Sequence, residues 1–228
     1  MSRLEAVIYD FDGVVVDSEP IHLRGFQQVL KDVGLSITSE EYYGKYLGFD
    51  DHDCFVAVMK DNGKSMDDQL LQELTAKKTR LMLSDLAESI NPLPGAVELI
   101  RSCRAAGLAV GVCSGALRDE IILASKSIGA IDSFMNIVSA EDVERGKPDP
   151  EGYQIARKNL SDLTGTELPA GNCVVVEDSP AGIKAAKDAG MNVLAVTTSY
   201  PADRLTQADR IVASLGDVSA DDLAELVG

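Results

Sequence analysis

Hydrophobic positions fall into two regimes along the chain. The first run, Leu4 to Tyr9, is β-rich and apolar throughout, and it stops abruptly at Asp10-Phe11-Asp12-Gly13. An apolar run of that length, bounded by turn formers, predicts a strand buried on both faces. The pattern then changes to helical spacing. Ile21, Phe26, Val29, Leu30 and Val33 share one face of a helix predicted over Glu19–Gly34. From Thr38 to about Glu88, Phe55, Val58 and Met59, then Leu70, Leu71, Leu74, Leu81, Met82 and Leu86, recur at helical intervals with no β-rich run between them. Ser39-Glu40-Glu41 is a helix-start signal, and Gly63-Lys64-Ser65 an internal turn.

After Asn91-Pro92-Leu93-Pro94-Gly95 the two patterns alternate. Helices are predicted over Ala96–Ala106, Leu117–Ile128, Pro150–Leu160, Pro180–Ala189 and Ala220–Leu226. Strands are predicted over Leu108–Cys113, Phe134–Val138, Cys173–Val176 and Val193–Val196, with Ile211-Val212 as an edge strand. Such alternation implies right-handed βαβ units and a parallel sheet. The expected fold class is therefore α/β, a Rossmann-like parallel sheet core with an inserted all-helical domain. The core takes residues 1–17 and 91–228, and the helical insertion takes residues 18–90. The two crossings between them are suited to hinge motion and lid closure.

Composition narrows the function classes. With 228 residues the chain can bury one large core, or a core with a smaller insertion. A net charge of −16 argues against nucleic-acid and anionic-membrane partners, because its field repels polyanions. A small phosphorylated substrate is still compatible, since a local cationic pocket overrides the global field. The four cysteines, Cys54, Cys103, Cys113 and Cys173, share no Cys-x-x-Cys spacing and read as buried reduced thiols. Met1 to Glu5 leads straight into the first strand with no room for a signal peptide, and no apolar run approaches the roughly 20 residues of a membrane span. The expectation is a cytoplasmic protein, a monomer or weak dimer.

Four predicted strands end in polar residues that an apolar strand does not require. These are Asp10 and Asp12, then Ser114-Gly115, then Gly146-Lys147-Pro148-Asp149-Pro150 after a loop, and Glu177-Asp178-Ser179-Pro180. Each alone has an ordinary explanation: an acidic turn, a helix N-cap, a solvated lysine, a helix start. Parallel strands would bring all four to one edge of the sheet, where open α/β folds place their chemistry. Gathering Asp10, Asp12, Glu177 and Asp178 is electrostatically costly. A like-charge pair at 4 Å costs ~4 kcal/mol at an effective dielectric near 20. A divalent cation would offset that cost, and oxygen-only ligands favour Mg²⁺ over zinc. Other motifs do not fit. Gly13 is in the wrong place for an EF-hand, Ser114 is one residue late for a nucleophile elbow, and Lys147 lacks Walker A spacing.

Asp10-Phe11-Asp12-Gly13-Val14-Val15-Val16-Asp17-Ser18, Ser114-Gly115, Gly146 to Pro150 and Val176 to Ile183 together resemble the four motifs of the haloacid dehalogenase-like hydrolase superfamily. The insertion resembles the helical cap of its phosphoglycolate-phosphatase and β-phosphoglucomutase branch. The resemblance implies that Asp10 is a nucleophile forming an aspartyl-phosphate and that Asp12 is the general acid and base. It implies that Ser114 and Lys147 hold the phosphoryl oxygens, assisted by backbone N–H groups after Phe11 and Ser114, the latter that of Gly115. Mg²⁺ would sit on Asp10, the Asp12 carbonyl and Asp178, with Glu177 close or ligating.

Second-rank candidates stay open. His22 is either a partner of Asp12 or an exposed or capping histidine. Arg118 either reaches the substrate or lies on the surface. In the loop Gly48–Asp53, Asp51 and His52 are candidates for substrate contact. The β-phosphoglucomutases that the chain resembles carry an arginine in this loop for the substrate's second phosphate; here the loop is acidic. The expectation is therefore a Mg²⁺-dependent phosphatase of a small phosphorylated metabolite (a sugar, polyol or other organic monoester), with a sugar phosphomutase as the alternative. Asp12 argues against a metal-free dehalogenase, and the complete motif set against a non-catalytic module.

Overall fold

A computed structural model of the chain describes residues 3–228, apart from the side chains of 86–88. The chain forms two compact units, one of Met1–Asp17 with Ile90–Gly228 and one of Ser18–Ser89. In order the elements are β1 (Ala6–Tyr9), α1 (Glu19–Leu30), α2 (Ser39–Glu41), α3 (Asp51–Asp61), α4 (Asp68–Ser89), α5 (Ala96–Ala105), β2 (Ala109–Cys113), α6 (Arg118–Ser127), β3 (Asn136–Val138), α7 (Glu151–Thr164), β4 (Cys173–Glu177), α8 (Pro180–Asp188), β5 (Asn192–Val196), β6 (Arg210–Val212) and α9 (Ala220–Ala224).

The six strands form one sheet in the order β3-β2-β1-β4-β5-β6, and every paired neighbour is parallel. This is the Rossmann-like sheet expected from the alternating pattern. The order reverses at β1, which has β2 on one side and β4 on the other, so a crevice opens at the carboxyl ends of these strands. Both faces of the sheet are covered, which is why its strands read as unbroken apolar runs. Ala6 and Ile8, Cys173 and Val175, Val193 and Ala195 share a core with Tyr153, Ala156 and Leu160 of α7 and with Ile183 and Ala186 of α8. Alternate strand residues point the other way. Tyr9 does so, and its hydroxyl lies 3.4 Å from the Cys103 sulfur on α5.

The strand–turn at the end of β1 is closed by backbone bonds. Phe11 O accepts from the N–H groups of Val14, Val15 and Val16, and Gly13 N–H donates to Val16 O. Asp17 N–H then donates to Asn91 O at 3.3 Å, and Leu93 N–H to Val15 O at 2.9 Å. The chain therefore leaves the sheet unit and re-enters it side by side.

The helical unit has its own core of Phe26, Val29 and Leu30 from α1, Tyr42 and Tyr46, Cys54, Phe55 and Val58 from α3, and Leu74 from α4. Phe26 meets the Phe55 ring edge-on at 5.1 Å. Each such fully buried ring contributes about 1.5–3 kcal/mol. Leu86, assigned to the same helical face by spacing, lies outside the described side chains. Two details depart from the sequence pattern. The helix expected to reach Gly34 tightens after Leu30 into a 3₁₀ turn, Lys31–Val33, and Gly34 ends it at φ 68°. α2, capped by a Thr38–Glu41 box, runs into a π-helical turn over Tyr42–Tyr46. No periodicity in side-chain type distinguishes that widened turn from α-helix. Among the described residues, no helix is long and apolar enough to cross a membrane.

Candidate active site

The four polar strand ends meet at the carboxyl edge of the sheet. Asp10 continues the β1 ladder by one residue, its N–H bonded to Val176 O at 2.9 Å, so its carboxylate is held at the crevice, and the residue is only 8% exposed. Gly13 follows at φ 75°, in the left-handed region that favours glycine. Space demands glycine there too: a Cβ would lie 2.0 Å from Asp178 Oδ2.

From the Gly146–Pro150 loop, Lys147 Nζ reaches Asp10 Oδ1 at 2.8 Å and Glu177 Oε1 at 2.7 Å. It also stands 5.0 Å over the Tyr153 ring of α7. Glu177 is fully buried. Its Oε1 takes the Tyr153 hydroxyl at 3.0 Å besides Lys147. Its Oε2 takes Asp178 N–H at 2.8 Å, Ser179 N–H at 2.8 Å and Ser179 Oγ at 3.0 Å. Five donors thus converge on one carboxylate. Gly182, in the first turn of α8, makes room for it: a Cβ at Gly182 would lie 1.5 Å from Glu177 Oε1. Ser179 caps the same helix, its Oγ accepting from Gly182 N–H at 3.0 Å. Asp178, 3% exposed, accepts a hydrogen bond at Oδ2 from Ser199 Oγ.

Ser114, at the end of β2, is held by its N–H to Val138 O at 3.0 Å. Its Oγ lies 3.4 Å from Asp12 Oδ2 and accepts from Ala116 N–H at 3.0 Å. At Gly115 an added Cβ would meet nothing within 4 Å, so the backbone there is open to an approaching group.

Donor oxygens of Asp10, Glu177 and Asp178 lie within 4.8 Å of one another. Burial pushes the Asp10 carboxyl up to about 7; Lys147 pulls it down, while Glu177 and Asp12 add to the rise. Burial also pushes Asp178 up to about 8, reinforced by Asp10 and Glu177. Burial works against charge on Glu177 as well, but Lys147 and the N–H groups of Ser179 and Asp178 outweigh it and hold that carboxyl below its usual range. Lys147 is held well above its ordinary value by Asp10 and Glu177, against its own desolvation. Lys147 thus supplies one positive charge against three carboxylates, and that deficit shows in the raised Asp10 and Asp178. A hard divalent cation fits that deficit and that all-oxygen donor set.

The remaining candidates are engaged with partners of their own. Arg118, 40% exposed at its side chain, turns its guanidinium to Ile137 O at 3.1 Å and Asp142 Oδ2 at 2.5 Å. His22, Asp51 and His52 belong to the helical unit. His22 and Asp51 share one partner, the buried Lys78 of α4: its Nζ lies 2.9 Å from His22 Nδ1, is ion-paired with Asp51, and stands 4.2 Å over the Phe26 ring. His52 is exposed and pairs with Asp53 at 2.9 Å.

Three residues join these groups without having been singled out in the sequence. Lys78 carried a readable signal, since it lies on the apolar face of α4, four residues from Leu74 and from Met82. Tyr153 looked like any core aromatic on α7. Ser199 carried no signal, because the loop after β5 has no motif.

Comparisons with known proteins bear on the fold and the family. The sequence model of the family described as haloacid dehalogenase-like hydrolase matches residues 7–196. Protein CbbY of Rhodobacter capsulatus is 30% identical over 98% of this chain and 99% of its own length. Hexitol phosphatase A of Escherichia coli is 31% identical over 95% of this chain and 94% of its own. Among solved structures, CbbY from Rhodobacter sphaeroides in complex with phosphate superposes with a TM-score of 0.84 at 22% identity, covering 96% of this chain and 99% of that one, which speaks to the fold alone. On the extent of the family match and the near full-length relatives, the chain belongs to the haloacid dehalogenase-like hydrolase family.

Proposed function

We propose that the chain is a Mg²⁺-dependent phosphatase of a small phosphorylated metabolite, a sugar, polyol or related monoester, acting through an aspartyl-phosphate on Asp10. The observation that carries this is Lys147 Nζ held between Asp10 Oδ1 at 2.8 Å and Glu177 Oε1 at 2.7 Å. An ammonium so placed shields a carboxylate nucleophile from the incoming phosphate and can contact the transferring oxygens. Relatives named as hexitol phosphatase A and as validoxylamine A 7′-phosphate phosphatase support the substrate class.

In the first half-reaction an Asp10 oxygen bonds to phosphorus as the ester oxygen departs. Asp12, entering protonated, gives its proton to that leaving oxygen, so the alcohol leaves neutral. Lys147, the Ser114 hydroxyl and the backbone N–H groups after Phe11 and Ser114 hold the three phosphoryl oxygens. In the second half, Asp12 takes a proton from water as the water oxygen attacks phosphorus, and the Asp10 carboxylate is released with inorganic phosphate. Asp10, Asp178 and the Asp12 carbonyl would hold Mg²⁺. Glu177, whose oxygens already take five donors, fixes Lys147 and the Asp178 backbone. When bound, the cation offsets the charge of the phosphoryl group and of the surrounding carboxylates.

A phosphatase is favoured over a sugar phosphomutase by the acidic Gly48–Asp53 loop. The buried cation Lys78 is already neutralised by Asp51 from that region. The test is a phosphate-release screen over sugar, polyol and glycolate phosphates with Mg²⁺, with wild type beside Asp10→Asn. Release that needs Mg²⁺ and vanishes in the variant is expected. Full-rate release by Asp10→Asn overturns the nucleophile assignment. An isomerised sugar phosphate formed without free phosphate would establish the mutase instead.

A further inference from the structure

Two residues fix Asp178, and they act on different parts of it. Glu177 Oε2 receives the Asp178 N–H at 2.8 Å and so sets the backbone. The carboxylate itself is set from the other side. β5 lies beside β4 with Glu177 opposite Ala195, so the chain that leaves β5 at Val196 runs alongside Asp178. Ser199, three residues beyond the strand, turns its hydroxyl back and donates to Asp178 Oδ2. The loop after β1 closes the third side. A Cβ on Gly13 would lie 2.0 Å from Asp178 Oδ2 and 2.8 Å from Ser199 Oγ, so these three segments are packed in direct contact.

We propose that Ser199 is a positioning residue for the divalent cation, acting through Asp178. The inference rests on the reading of the site as one that takes Mg²⁺. A carboxylate on two free torsions can turn either oxygen anywhere on a cone. The Ser199 hydroxyl holds Oδ2 and so fixes the plane of the group, which aims the lone pairs of Oδ1 as well. Ligating carboxylates are commonly oriented by hydrogen bonds of this kind, and loss of such a bond lowers metal affinity by about 10–100-fold. The serine donates one hydrogen bond and brings no charge, so it orients the ligand without competing electrostatically for it. Tight contact with Gly13 keeps the hydroxyl from turning to solvent.

The test is calorimetric titration of the whole protein with MgCl₂ alone, without substrate, comparing wild type, Ser199→Ala and Ser199→Thr. Thermal unfolding in EDTA is measured alongside, to show that each variant is folded. The expected result is a Mg²⁺ dissociation constant raised about 10-fold or more in Ser199→Ala and restored to within about 3-fold of wild type in Ser199→Thr, which keeps the hydroxyl. Phosphatase activity of Ser199→Ala should recover at high Mg²⁺, because the defect lies in loading. Equal or tighter Mg²⁺ binding by a folded Ser199→Ala overturns the role of Ser199 and leaves the Mg²⁺ reading standing. Failure of wild type itself to bind Mg²⁺ overturns both.

Discussion

The Tyr153 hydroxyl donates to Glu177 Oε1 at 3.0 Å, and that oxygen is the one that also receives Lys147. A fully buried tyrosine on α7 is thus one bond away from the ammonium that faces Asp10. Tyr153→Phe keeps the ring and removes this donor alone. Hydrogen bonds to charged groups are worth about 1.5–3 kcal/mol, so unfolding stability should fall by that amount in urea. Lys147 would be drawn harder onto Glu177, and kcat should fall more than KM rises. A variant as stable and as fast as wild type would show that the hydroxyl holds nothing.

Removing the ammonium is more severe. In Lys147→Ala, Asp10 and Glu177 both lose their counter-charge at a site where Glu177 is fully buried. Breaking a buried pair in this way costs about 3–5 kcal/mol. Loss of one preorganised charge at a phosphoryl group costs about 10²–10³-fold in kcat. Equilibrium denaturation and initial rates measure the two effects separately, and added Mg²⁺ should return part of the stability by neutralising Asp10.

At Gly182 two effects of opposite sign compete. Alanine in a helix interior is usually favoured over glycine by about 1 kcal/mol. Here its Cβ would come within 1.5 Å of Glu177 Oε1 and 2.0 Å of its carboxyl carbon. That overlap with a buried group held by five donors cannot be relieved by a side-chain turn, so steric cost outweighs propensity. Gly182→Ala is expected to lower the melting temperature and to lower kcat with it. A rise in melting temperature would mean that Glu177 is free to move.

The helical unit should show a pH dependence of its own. Burial, then the Lys78 ammonium beside it, hold His22 well below the ordinary imidazole value of 6.5. The groups around this site are Lys78 on α4 and, through Lys78, Asp51 at the start of α3. The folded state keeps His22 neutral while the unfolded chain takes up a proton below 6.5. A depressed folded value means the contribution is present above that pH and is lost as pH falls towards the folded value. Stability measured in urea should therefore decline below about pH 6.5. His22→Asn should flatten that part of the profile, and an unchanged slope would locate the titration elsewhere.

Much of the sheet was legible because strands buried on both faces have a simple signature. Val174 to Val176 could hardly be anything else once Glu177-Asp178 ended the run. The site residues of β1, β2 and β4 were legible for the same reason, since each sits directly after an apolar strand. What stayed hidden depends on approach in space. Ser199 and Asp178 are 21 residues apart and meet only because β5 lies beside β4. Five donors around Glu177 could not be counted before α7 and α8 were placed. Glu177, read as close to or ligating the metal, is also the anchor of Lys147. The π-helical turn at Tyr42–Tyr46 was hidden because its composition is that of an ordinary helix.

The paired bonds from Asp17 to Asn91 and from Leu93 to Val15 have a consequence for descent as well as for shape. They pin both ends of the intervening segment to one point on the sheet unit. Loop-closure entropy grows slowly with length, about 0.6 kcal/mol for each doubling, so what is strung between those ends can lengthen, shorten or be exchanged at little cost to the sheet. A scaffold fastened in this way can keep its carboxylates and its lysine unchanged while successive insertions present it with new substrates.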